Sequence, residues 1–154
     1  MLRALKSLFE DQPVQALPGH ERRHLQVAVA SLLHEATRVD LAQAADERAA
    51  AEHAIADLFG LSAIESVAIL TEGSDRAKHL TSYFAPVSVI KRDLSLPRRV
   101  RLIEHLWRVA YADGRLDPYE DHYVRKIAHL LYVPNTETML ARNRARSANQ
   151  INHR

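Results

Sequence analysis

The stretch LWRVAYADGRLDPYEDHYVRKIAHLLYVP, from Leu106 to Pro134, decides the fold class of this chain. Apolar side chains recur every three or four residues on both sides of a central loop, which is the spacing of two amphipathic helices. Gly114 suits the left-handed end of the first helix, and Asp117 with Pro118 suits the N-cap and first residue of the second. The stretch therefore predicts a helical hairpin.

The composition extends the helical prediction to the whole chain. Its 154 residues include 23 Ala and 20 Leu but only four Gly, which favours α-helix, and about 150 residues is the usual size of one domain. We predict an all-α, compact single domain over residues 1–154, with seven to eight helices whose ends are marked by Gly and Pro, Gly73 among them. The predicted helices are 2–9, 20–39, 46–59, 63–71, 80–92, 97–112, 118–131 and 135–146. Residues 1–19 would form an N-terminal helix and connector, and residues 147–154 a flexible tail.

Several classes of function are excluded by residue content. The chain has no Cys, which excludes thiol catalysis, Cys-ligated zinc and disulfides. No apolar stretch approaches the about 20 residues of a membrane-crossing helix, and MLRALKSLFED at the N-terminus is typical of an amphipathic helix rather than a signal peptide. We therefore expect a cytoplasmic protein. Neither a phosphate-binding Gly-rich loop nor a Ser-His-acid spacing is present.

Charge is unevenly distributed along the chain. Residues 40–75 contain eight acids and one base, whereas residues 76–112 contain eight bases and two acids. Such surfaces are expected to pair within the fold or between copies in a homo-oligomer. The C-terminal Arg142, Arg144 and Arg146 have no aromatic residue among them, so we expect no nucleic-acid partner.

An internal repeat relates two loops. DLAQAADE, from Asp40 to Glu47, and DGRLDPYE, from Asp113 to Glu120, each begin and end with an acid, and each lies between two helical segments. The pattern predicts two helical hairpins related by pseudo-repetition.

Helical geometry predicts on which face of its helix each of these four acids lies. Advancing 100° per residue places all of them on the apolar, inward faces of their helices, whereas His105 falls on the polar side of its helix. Burying a carboxylate requires compensation, for which a bound cation, a basic partner, backbone amides or raised pKa values are the candidates. All-oxygen ligands would select a hard ion such as Ca²⁺, Mg²⁺ or Mn²⁺.

Helix capping is the competing explanation for the second loop. Capping accounts for Gly114, Asp117, Pro118 and Glu120 without any metal. It does not account for Asp113 and its counterpart Asp40. Both explanations remain open at this stage.

The same residues resemble the TerB-like tellurite-resistance family. Leu106 to Pro134 carries the more specific match, and LLHEATRVDLAQAADERAAAEHAIADLFGLS, from Leu32 to Ser62, a more degenerate one, so that the resemblance covers about residues 20–145. It implies a bacterial, non-enzymatic, all-helical domain involved in tellurite and broader stress resistance. It also implies association with other proteins, near the inner face of the membrane.

The resemblance further implies a set of acidic residues that bind a divalent metal. By position these are Asp113, Asp117, Glu120, Asp40 and Glu47. Leu41 and Ala44 replace the Gly and Asp that the family pattern would place in the first loop.

A second motif, HERRH from His20 to His24, has the spacing of a zinc hydrolase. On a helix both imidazoles would share one face, with Glu21 as general base and Glu35 or Glu47 as third ligand. Its position directly after Pro18-Gly19 instead favours a solvated helix start. His122 and His129 are likewise expected on a polar face, and Trp107 in the core.

The sequence as a whole favours a non-enzymatic, TerB-like interaction domain with Ca²⁺ or Mg²⁺ at the five acids. A zinc hydrolase using HERRH and a metal-free structural or self-association module are the alternatives.

Overall fold

The computed structural model describes residues 14–37 and 44–152 of the chain. These residues contain seven α-helices and no strand, so the all-α prediction is confirmed for them. The helices are α1 (Gly19–Ala36), α2 (Ala44–Phe59), α3 (Ala63–Ala77), α4 (Phe84–Asp93), α5 (Leu96–Ala110), α6 (Pro118–Leu130) and α7 (Asn135–Asn152). A short 3₁₀ helix at Val14–Ala16 precedes α1. The predicted helix 2–9 lies outside the described residues.

Several helices begin at the polar caps that the sequence indicated. Ser62 and Glu65 form the predicted capping box, in which each side chain accepts a hydrogen bond from the other residue's backbone N–H. Asp117 caps α6 in front of Pro118. These caps satisfy N–H groups that have no partner within the helix.

The core forms around α1 and α5. α1 packs mainly against α3 and α4, and α5 mainly against α7 and α2. The largest fully buried apolar side chains are Trp107, Leu25, Leu32, Leu33, Ile55, Ile90, Leu102, Ile103, Leu106, Ile127 and Leu131. The Nε1–H of Trp107 donates to the carbonyl of Thr138 at 3.1 Å, which confirms Trp107 as a core residue that joins α5 to α7.

The predicted end of the fourth segment before Gly73 is wrong. α3 continues through Gly73 to Ala77, because Gly73 is buried against α1 rather than exposed at a helix end. A Cβ at this position would stand 2.4 Å from the Cβ of Ala30. Gly73 therefore permits close approach of two helices and does not terminate one.

The helix at the C-terminus is longer than predicted. α7 continues to Asn152, where a flexible tail was expected from residue 147. Ala141 and Ala145 are buried one helical turn apart, and Asn149 Nδ2 donates to the carbonyl of Tyr111 at 2.8 Å. The two buried alanines and the hydrogen bond of Asn149 hold the end of α7 against the rest of the domain.

Candidate functional site

The structure buries two of the predicted acids at matching positions of the repeat. Glu47 lies in the first turn of α2 and is 1% exposed, and Glu120 lies in the first turn of α6 and is 4% exposed. The inward direction is therefore confirmed for this pair. Asp40 lies outside the described residues.

The two acids of the second loop are arranged differently. Asp113 is partly exposed, and its Oδ1 accepts the backbone N–H of Arg115 at 2.9 Å, so its predicted inward direction is wrong. The reason is that α5 ends at Ala110, beyond which an advance of 100° per residue no longer applies. Asp117 Oδ1 accepts the backbone N–H of Glu120 at 2.9 Å, and Gly114 has a φ of 87°, as the capping explanation predicts.

The described residues do not by themselves assemble a metal site. Across residues 14–37 and 44–152, no group of three or more His, Asp or Glu side chains is placed to hold a metal ion. The predicted five-residue set includes Asp40, so cation binding by the full set stays a prediction.

The HERRH motif lies at the start of α1. His20 and His24 are both exposed, and Arg23 forms an ion pair with Glu72 of α3. The interpretation as a solvated helix start is therefore confirmed. His122 and His129 on α6 are also exposed, as predicted.

A polar cluster that the sequence analysis missed joins α2 to α5, and only its histidine is buried. His105 is only 3% exposed, and its Nε2 lies 2.6 Å from Oδ2 of Asp57. Arg101, one turn earlier, donates from Nε and Nη2 to the two oxygens of Asp57, both at 2.7 Å. The prediction that His105 lies on a polar face is wrong, because α5 is covered by α1, α2, α6 and α7 and buries more than its apolar arc.

The electrostatics of this cluster favour a neutral imidazole and an ionised carboxylate. The hydrogen bonds from Arg101 hold the pKa of Asp57 far below its usual range, with the His105 contact adding to the effect. Burial lowers the pKa of His105, and although Asp57 opposes this shift, Arg108 and His53 reinforce it. The His105 Nδ1 atom is buried without a hydrogen-bond partner among the described residues.

The clearest signal of this cluster in the sequence was the spacing of Arg101 and His105. Four residues apart on one helix, they share a face and can both reach a single carboxylate. Nothing in the sequence alone showed that Asp57 of α2 would be that carboxylate.

An open groove next to this cluster is lined largely by alanines. It has a volume of about 380 Å³ and lies between α2 and the C-terminal half of α7, over the end of α5. Ala49, Ala112 and Ala145 line it together with His53 and Arg108.

A second open groove, of about 590 Å³, lies between α4 and α6. We call it the aromatic–basic groove, and it is lined by Thr81, Ser82, Tyr83, Phe84, Val87, Ser88, Lys91, Lys126, His129, Leu130 and Tyr132. Lys91 Nζ lies 4.5 Å from the centre of the Tyr132 ring, and Lys126 Nζ lies 5.4 Å from that of Tyr83. Burial, reinforced by the nearby Glu35 carboxylate, raises the pKa of Tyr83.

Comparison with protein families decides the assignment of the fold. The family model described as tellurite resistance protein TerB matches residues 26–143, from within α1 to within α7. The chain belongs to the TerB family. The match confirms the resemblance that the sequence carries.

Further comparisons add no closer relative of this TerB chain. Neither a curated protein nor a solved structure gives a significant match. TerB domains are generally non-catalytic.

The described helices were also compared with the requirements for crossing a membrane. In residues 14–37 and 44–152, no single helix is both long and apolar enough. Ala45–Phe59 and Ala63–Ala77 meet the length and composition together, as a pair bent by 110°.

Proposed function

We propose that this TerB domain is non-enzymatic and acts in tellurite and broader stress resistance by binding other proteins. The observation that supports this most strongly is the exposure of aromatic side chains beside one groove. Phe84 is 77% exposed and Tyr132 is 72% exposed, and both line the aromatic–basic groove. Large apolar side chains on a surface gain free energy when a partner covers them, and aromatic residues are enriched in protein interfaces.

Cation binding is the second part of this proposal. Asp40, Glu47, Asp113, Asp117 and Glu120 would hold a hard divalent cation such as Ca²⁺ or Mg²⁺, which would tune association by changing how the two hairpins pack. The support comes from the chemistry of Glu47 and Glu120, because both place carboxylate oxygens, the donors that hard cations prefer, in the buried first turns of their helices.

Location is also part of the proposal. A cytoplasmic domain near the inner face of the membrane would meet partners that are themselves associated with the membrane. A homo-oligomer formed through oppositely charged surfaces is compatible with this role.

A growth experiment tests the role in stress resistance. Cells that make this protein would be compared with a deletion strain, and with that strain carrying the wild-type gene, across rising concentrations of tellurite and peroxide. We expect the deletion strain to stop growing at lower concentrations and the wild-type gene to restore growth. Equal resistance of parent and deletion strains to both agents would contradict the role.

A further inference from the structure

Lys91 and Lys126 are among the basic residues of the described surface that have no carboxylate partner, and both line one groove. Elsewhere Arg23 pairs with Glu72, and Arg144 pairs with Glu104. In the described residues, Lys91 and Lys126 form no ion pair and instead lie over tyrosine rings. Their charges face a groove lined by no Asp or Glu. The groove therefore presents two lysine charges with no carboxylate among its lining residues, and the Glu35 carboxylate lies near its Tyr83 wall.

The floor of the aromatic–basic groove is apolar. Val87 is buried at its base, and Leu130 is partly buried beside it. The ring of Tyr83 packs edge-on against the buried Tyr123, with ring centres 5.7 Å apart, which holds one wall in place. An apolar side chain entering the groove would therefore find a fixed surface to cover.

Tyr132 adopts a backbone conformation that its residue type disfavours. Its φ is 56°, the only positive φ of a non-glycine residue in the part of the chain that the structure describes. It directly follows the C-cap of α6, a position where glycine is usual and where a side chain costs about 1 kcal/mol. The Val133 N–H donates to the carbonyl of Ala128 at 2.9 Å and closes the helix end around Tyr132, and this conformation places the exposed aromatic ring beside Lys91.

We propose that the aromatic–basic groove binds an acidic peptide segment of a partner protein, with Lys91 and Lys126 contacting its carboxylates and Tyr83, Phe84 and Tyr132 contacting an apolar side chain. The inference rests on the proposed function of protein association and names the chemistry of the partner. Charge complementarity identifies the ligand as anionic, and the apolar floor requires a side chain to fill it.

A peptide is favoured over a nucleic acid by the number of charges. Binding along a phosphate backbone uses many basic contacts, typically six to ten in strong complexes. This groove offers two lysines and the exposed His129. Two fixed charges flanking an apolar surface match a short acidic segment with one large apolar residue.

Fluorescence anisotropy with the full chain tests the proposal. The probe is a labelled peptide of sequence Glu-Glu-Phe-Glu-Glu, its control is Gln-Gln-Phe-Gln-Gln, and a 12-nucleotide oligo-dT is the competing ligand. We expect the acidic peptide to bind, the amide peptide to bind at least tenfold more weakly, and binding to weaken as salt is raised.

Variants identify the residues responsible. Lys91→Ala and Lys126→Ala should each raise the Kd about fivefold, which corresponds to about 1 kcal/mol per charge contact. Lys78→Ala is the matched control, because Lys78 is exposed at the C-cap of α3 and lies outside the groove. Tyr132→Gly should weaken binding without lowering stability, which separates loss of the site from loss of the fold.

Four results of the binding measurements would overturn the proposal. They are no binding of either peptide, equal binding of both peptides, an equal effect of Lys78→Ala, and tighter binding of oligo-dT than of the acidic peptide. Cross-linking to a partner protein that survives Lys91→Ala and Lys126→Ala together would also overturn the groove, yet leave the proposed function standing. Absence of any cross-linked partner for the wild-type chain would count against the proposed function itself.

Discussion

Gly73 of α3 and Ala30 of α1 approach so closely that a Cβ on Gly73 would lie 2.4 Å from the Ala30 Cβ and 2.7 Å from its carbonyl carbon. Because the second of these atoms belongs to the backbone, the clash could be relieved only by separating the two helices. The contact lies where α1 and α3 form one of the main helix pairs of the domain.

Gly73→Ala should therefore destabilise the protein although alanine is the better helix former. We expect a loss of about 1–3 kcal/mol, the usual cost of overpacking a core. Gly19→Ala is the matched control, since nothing lies within 4 Å of the Cβ it would add and its φ is not positive. Urea denaturation of both variants and of wild type checks this. A Gly73→Ala variant as stable as wild type would show that the close contact is absent.

Tyr132→Gly should raise the free energy of unfolding by about 1 kcal/mol. Glycine removes the cost of the positive φ, and little burial is lost because most of the tyrosine is exposed. Gly114→Ala is the converse variant, because Gly114 has a φ of 87° and open space around its Cβ position, so the added methyl should cost about 1 kcal/mol through backbone strain alone. Thermal unfolding measures both, and a destabilised Tyr132→Gly would refute the assignment of strain.

Stability should fall as the pH decreases from neutrality, partly through His105. Its folded pKa lies below the ordinary value of about 6.5, so between these two values the unfolded chain binds the additional proton. Neutral His105 therefore makes its full contribution to the free energy of unfolding above about pH 6.5. This contribution is lost as the pH falls toward the folded pKa of His105. Urea denaturation of His105→Gln at pH 7 and pH 5 should show a smaller decrease than wild type.

Some pH dependence should remain in that variant. Burial also lowers the pKa of His34, which contributes with the same sign. An unchanged decrease between pH 7 and pH 5 in His105→Gln would contradict a buried neutral imidazole at position 105.

Cation binding is tested by thermal unfolding of chelator-treated protein with Ca²⁺, Mg²⁺, Mn²⁺ or Zn²⁺ added in turn. A ligand that binds only the folded state stabilises it by about 2.7 kcal/mol at a hundredfold excess over its Kd. We expect a shift with Ca²⁺, Mg²⁺ or Mn²⁺ that is lost in Asp113→Asn. No shift with any ion would favour the metal-free interaction module, and a shift with Zn²⁺ alone, unchanged in Asp113→Asn, would favour the HERRH alternative.

The helices and their caps could be predicted because they depend on local residue choices. Ser62 with Glu65, and Asp117 before Pro118, act within a single turn, and their effect does not depend on the rest of the fold. Gly73 was misinterpreted because its role depends on α1, more than 40 residues earlier in the chain. A glycine that ends a helix and one that allows two helices to touch look alike in sequence.

The candidate sites were harder to predict from the sequence, because they too depend on contacts between segments that are distant in the chain. The burial of Glu47 and Glu120 followed from helical periodicity, whereas the position of Asp113 did not, because it lies past the end of α5. The aromatic–basic groove brings residues 81–91 together with residues 126–132, and nothing in either segment alone indicates the other. His105 was misplaced because periodicity identifies one buried face, and α5 is covered on several sides.

The most direct test of the central claim is cross-linking mass spectrometry in tellurite-exposed cells that make this protein, comparing wild type with Phe84→Ser. Leu140→Ser is the matched control, because Leu140 is also exposed but lies on α7, outside the aromatic–basic groove. We predict a defined partner protein, cross-linked to wild type and to Leu140→Ser and depleted in Phe84→Ser. No partner protein above background in any of the three would contradict the claim that this TerB domain acts by binding other proteins.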